Sequence, residues 1–94
     1  MDDATHAALS HATGRTDVPL IEQTIGAFFD AMAARQPQRE ALVSVHQGRR
    51  YSYAALAAEV DRLASALLGL GLQPGERIGI WSHNNVEWVL MQLA

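Results

Sequence analysis

The chain has 94 residues, 49% of them apolar, with 7 basic and 10 acidic side chains and a net charge of −3. That length allows one small domain at most, and that composition excludes a disordered or fibrous polypeptide. Charges scattered along the chain, with an acidic excess, exclude a nucleic-acid surface, which needs clustered positive charge.

The residue inventory removes further chemistry. All seven basic residues are Arg. Without Lys there is no Schiff base and no phosphate-loop lysine. Without Cys there is no disulfide, thiolate nucleophile or Cys-based zinc site. Arg used to the exclusion of Lys, together with 16 Ala, points to a GC-rich bacterial genome.

Residues 1–16 are small and polar without a period, and are expected to form a flexible tail. The stretch begins Met1-Asp2-Asp3 and lacks the basic and apolar regions of a secretory signal. No apolar run approaches the ~20 residues of a membrane span. A cytoplasmic protein without a transmembrane segment is therefore expected. His6 and His11 are five positions apart, but two such residues in a tail read as solvated rather than as metal ligands.

In "TIGAFFDAMAAR", Ile25, Phe28, Phe29 and Met32 recur at helical spacing. Thr24 is placed to cap this helix, and Pro37 to end it. Next, "ALVSVH" predicts a strand over Ala41–His46. Gln47-Gly48 supplies a tight connection and "RRYS" a second strand, making a hairpin. Arg49 and Arg50 there are candidates for phosphate binding, weighed against the commoner task of charging a sheet edge.

The segment "YAALAAEVDRLASALLGLG" predicts a long amphipathic helix. Leu56, Val60, Leu63, Leu67 and Leu70 form its apolar line, Ser52 its N-cap and Gly71 its left-handed C-cap. Burying those five side chains is worth roughly 8–15 kcal/mol. Gly69, Gly71 and Gly75 superficially suggest a dinucleotide fingerprint, but they follow a helix rather than a strand, and the spacing is wrong.

Pro74-Gly75 marks a turn. "RIGIWS" then predicts a strand over Arg77–Ser82, in parallel with the hairpin through a right-handed crossover. Asn84 is the expected cap of the last helix, with Glu87 completing a capping box. Val86, Trp88, Val89, Leu90, Met91 and Leu93 cover most of that helix's circumference, so it is expected to be packed on several sides. The residues before it are too few to cover it. The chain is therefore expected to be the leading part of a larger domain, with the remainder of that domain as its partner.

Chemistry is sparse along this pattern. Ser82 beside His83 suggests a nucleophile and its base, but sequence neighbours seldom face each other, and no orienting carboxylate is indicated. The Ser82–Asn85 turn is instead a strand-to-helix connection. If the parallel pairing forms, it lies at a strand's carboxyl end, where open α/β sheets bind ligands. Carboxylates are dispersed and no metal-ligand spacing occurs, so no catalytic, cofactor-binding or metal-binding residue is assigned.

The ordered series "YSYAAL", "GLQPGERIGIW" and "NNVEW" resembles the opening of the AMP-forming acyl-CoA synthetases, the adenylate-forming superfamily. "DVPLIEQTIGAFFDAMAARQPQREALV" is similar to its fatty-acyl-CoA ligase branch. The resemblance runs from Asp17 to Ala94, so residues 17–94 are expected to be the N-terminal part of an AMP-binding domain. That family usually has Glu at the position of Ala55, which leaves the capping box at Ser52 incomplete.

The resemblance implies an α/β fold, beginning with a helix, a β-hairpin, a helix, a strand and a helix. It implies a two-step reaction for the parent enzyme. ATP and a fatty or other carboxylic acid give an acyl-adenylate, and coenzyme A then displaces AMP. ATP, Mg²⁺ and coenzyme A would be the parent's cofactors. The loop and lysines that serve this chemistry in the family have no counterpart here, so the chain alone is expected to be inactive. Two alternatives stand beside this reading. One is another adenylate-forming enzyme, an aryl-CoA ligase or a peptide-synthetase adenylation domain. The other is a free-standing α/β interaction module that docks by its last helix.

Overall fold

A computed structural model describes residues 10–94. The expected tail is thus seen only from residue 10 onward, where it is exposed and without regular structure up to Thr24; His6 lies outside the described residues.

The first helix, α1 (Ile25–Arg35), starts where its cap predicts. Thr24 Oγ1 accepts the Ala27 N–H at 3.1 Å. The helix closes with the Gln36 N–H donating to the Met32 carbonyl, one residue before Pro37. Its apolar residues are less buried than their spacing implies. No residue of α1 is fully buried, and Ile25 and Phe28 are exposed. Phe29 alone of the aromatic pair reaches the core, with its ring tilted 42° to that of Tyr53 at 6.3 Å.

Strands β1 (Glu40–Ser44) and β2 (Arg49–Ser52) form the expected antiparallel hairpin. Leu42 lies opposite Tyr51, Val43 opposite Arg50 and Ser44 opposite Arg49, with an irregularity between Glu40 and Leu42. β1 is shorter than expected. It stops at Ser44, and Val45–Gly48 form the turn. The Gly48 N–H bonds back to the Val45 carbonyl, and Gly48 adopts φ 64°, a left-handed value that favours glycine. Val45, apolar but 87% exposed, belongs to the turn rather than to the ladder.

Helix α2 (Tyr53–Gly69) follows the hairpin without a loop. Ser52 Oγ accepts the Ala55 N–H at 3.1 Å. The Tyr53 and Ala54 N–H groups donate to the carbonyls of Arg39 and Pro37. The entry to α2 is thus satisfied partly by the segment between α1 and β1. At the other end Gly71 takes φ 85°, the left-handed cap its sequence position predicts. A turn follows over Gln73-Pro74-Gly75-Glu76. The Glu76 N–H donates to the Gln73 carbonyl and Gly75 adopts φ 86°, as expected with Pro and Gly in the two central positions.

The expected strand Arg77–Ser82 does not form. Among the described residues the sheet has two strands, β1 and β2, and no parallel pair. A strand exists only through a ladder with a neighbour, and Arg77–Ser82 is laddered to neither hairpin strand. Ile78 is exposed and Trp81 fully so. The last helix, α3 (Val86–Leu93), is capped by Asn85 rather than Asn84, with Asn85 Oδ1 accepting the Trp88 N–H at 2.9 Å.

The core lies where α2 and α3 meet the hairpin. Leu56 and Val60 of α2 pack with Val86 and Leu90 of α3, and Val86 is wholly shielded. Phe29, Leu42, Tyr51 and Leu63 surround them. The apolar line of α2 is buried only along its first half, because Leu63 and Leu67 are half-buried and Leu70 is 84% exposed. The radius of gyration is 19.5 Å, against about 12 Å for a compact domain of this length. The architecture is α/β, with helices packed on one hairpin around a small core.

Candidate functional site

The turn at Val45–Gly48 and the first turn of α3 approach each other, and polar side chains converge there. Gln47 is the centre. Its Oε1 accepts the Val86 N–H at 2.9 Å and the Ser44 hydroxyl at 2.7 Å. Its Nε2 donates to Glu87 Oε2 at 3.0 Å. Arg49, on β2, donates to the other Glu87 oxygen, Oε1, at 2.6 Å. Arg49 also donates to the Tyr51 hydroxyl, and its guanidinium carbon lies 5.4 Å from the centre of the Tyr51 ring. Hydrogen bonds from Gln47, from the backbone and from Arg49 hold the Glu87 carboxyl below its ordinary pKa. Glu87 in turn raises the Arg49 guanidinium above its own.

This cluster explains why Glu87 does not complete a capping box. With Asn85 as cap, Glu87 is the second residue of the helix and points across to the hairpin. Its negative charge also favours the helix N-terminus. Gln47 has no distinguishing signal in the sequence other than its place beside a turn glycine.

The residues weighed for chemistry lie elsewhere or are already engaged. Arg49 is paired with Glu87, and Arg50 with Glu40 at 2.8 Å. Neither has the uncommitted charge that a phosphate site needs. Ser82 and His83 are exposed. The Ser82 hydroxyl donates to the His83 carbonyl and accepts from the Asn85 side chain, so the contact of a nucleophile with a base is not made. Because Arg77–Ser82 is not a sheet strand, the Ser82–Asn85 turn does not lie at the carboxyl end of one.

An open groove of about 420 Å³ runs between α2 and α3 beside the cluster. Leu63, Leu90 and Met91 supply its apolar floor, and Glu59 and Arg62 pair across one rim at 3.0 Å. It gathers no nucleophile and base. Among the described residues no group of three or more His, Cys, Asp or Glu is placed to hold a metal ion. Likewise, no helix among them is long and apolar enough to cross a membrane.

The α/β arrangement agrees with what comparison shows. Residues 29–94 match the AMP-binding enzyme family, and the chain belongs to that family. It is 50% identical over 86 residues to the mitochondrial medium-chain acyl-CoA ligase ACSF2 of Rattus norvegicus, covering 92% of this chain and 14% of that protein. The Homo sapiens protein of the same name is 46% identical over the same shares. The Danio rerio one is 40% identical over 90% of this chain and 14% of its own length. The chain thus spans about one seventh of these relatives, at 14%. No solved structure shows a significant match to it.

Proposed function

We propose that this chain forms part of an AMP-forming acyl-CoA synthetase that activates a medium-chain fatty acid. The reaction joins the acid to AMP from ATP with release of pyrophosphate, and the thiol of coenzyme A then takes the acyl group and releases AMP. The single observation carrying this reading is the identity of 46–50% to medium-chain acyl-CoA ligases over 92% of the chain.

Within that enzyme the segment serves as scaffold. Its residues do not fit an ATP and Mg²⁺ site. It has no Lys, and the two arginines weighed for phosphate binding, Arg49 and Arg50, are each paired with a carboxylate. Charge on a transferring phosphoryl group needs cations aimed at it, and these are aimed elsewhere. No step of the reaction is therefore assigned to a residue here.

The test is acid-dependent exchange of pyrophosphate into ATP, measured on the product of the whole open reading frame and on the 94-residue chain alone. The whole product should exchange with medium-chain fatty acids in preference to aryl acids, and form acyl-CoA when coenzyme A is added. The chain alone should stay at background. Preference for an aryl or amino acid would move the assignment to another adenylate-forming enzyme, and exchange by the chain alone would overturn the scaffold reading. A cytoplasmic location is part of the same proposal, and fractionation of the native cells tests it.

A further inference from the structure

We propose that Gln47, Arg49 and Glu87 form a polar clasp that fixes the start of α3 on the hairpin turn and thereby sets the direction of the Ser82–Asn85 segment leading into it.

Three observations carry this. Hydrophobic packing holds Val86 and Leu90 against α2, but apolar contact is non-directional and leaves the helix free to rotate or slide. Directional bonds between the hairpin and α3 run from Gln47 and Arg49 to the first two residues of the helix. They span 38 to 40 positions in sequence, so they join parts of the chain that local structure alone does not connect. Finally, the approach to α3 has little else to orient it. Its side-chain bonds are local ones among Ser82, His83 and Asn85, and Asn84 and Asn85 lie beside Leu42–His46 at the end of β1.

An amide suits the central position for a chemical reason. Gln47 must accept from the Val86 N–H and donate to Glu87 at the same time, and only a side chain with both an acceptor and a donor does so. A carboxylate at position 47 would keep the acceptor and set a second negative charge against Glu87. An aliphatic residue would leave the Val86 N–H without a partner at a wholly shielded residue. Gln47 is a positioning residue for α3, not a catalytic one.

Hydrogen exchange read by mass spectrometry on the full polypeptide tests the clasp. Gln47→Ala removes both Gln47 bonds to α3 and should speed exchange in its first turn by about tenfold or more, with α1 unchanged. Gln47→Glu should do the same near neutral pH. Gln47→Glu combined with Glu87→Gln should recover slow exchange, because the donor and the acceptor are then interchanged across the same contact. Wild-type exchange in Gln47→Ala would overturn the proposal. So would failure of the double variant to recover, or faster exchange spread equally over α1, α2 and α3, which would show general destabilisation in place of a local tie.

Discussion

Arg49 Nη1 and Glu87 Oε1 lie 2.6 Å apart although 38 positions separate them in the chain. Both side chains keep substantial contact with water, at 38% and 57% exposure, so the pair is screened, and its value lies in direction more than in energy. Its titration is nonetheless observable. The folded-state pKa of Glu87 is depressed, first by the bond from Gln47, then by a backbone bond and by Arg49. A depressed carboxyl stabilises the fold above its unfolded pKa, and that contribution fades as pH falls through the lower, folded value. In the full polypeptide, denaturant midpoints of wild type and Glu87→Gln should therefore differ near neutral pH and converge in acid. A gap that stays constant with pH would place the effect outside the Glu87 charge.

Burial along α2 ranks its side chains. Leu56 is 3% exposed at the centre of the core, and Leu56→Ala should cost about 2–5 kcal/mol. Leu63 lies on the same stripe but is half-buried, so Leu63→Ala should cost less than Leu56→Ala and more than Ser65→Ala, which should fall within about 0.5 kcal/mol of wild type. Denaturant unfolding of the three variants, each made in the full polypeptide, decides the order. Equal midpoints for Leu56→Ala and Ser65→Ala would misplace the buried face.

Two adjacent asparagines separate a cap from a neighbour. Asn85 holds the Trp88 N–H, whereas Asn84 is exposed and outside the helix. Asn85→Ala should cost about 0.5–2 kcal/mol, the usual range for losing a cap, and Asn84→Ala close to nothing. The reverse ranking would return the cap to Asn84.

Among the described residues four buried apolar side chains make a small core, and Leu68, Leu70, Ile78 and Trp81 remain exposed. Exposed apolar surface of this kind favours self-association. The 94-residue chain in isolation should bind ANS strongly and unfold without a sharp thermal transition. A monodisperse monomer with a cooperative transition and little ANS binding would favour the free-standing module.

Local chemistry was legible in the sequence wherever a residue acts on its immediate neighbours. Thr24 and Ser52 cap the helices they precede because a side-chain oxygen reaches an N–H three residues on, whatever the rest of the chain does. Gly71 and Pro74-Gly75 end and turn the chain because their backbone preferences are intrinsic. The order of helix, hairpin and helix was legible on the same footing, whereas the family was legible only through the resemblance of an ordered series of short motifs. Tertiary structure decided what depends on a distant partner. Arg77–Ser82 has the alternation of a strand, but a ladder needs a second strand beside it, and none of the described residues provides one. The α2 stripe reads as uniformly apolar from Leu56 to Leu70, yet burial follows what packs against it, and α3 with the hairpin covers only its first half. Gln47 was legible only as part of the Gln47-Gly48 connection, because its partners Val86 and Glu87 lie 39 and 40 positions away and reach it only through the tertiary packing.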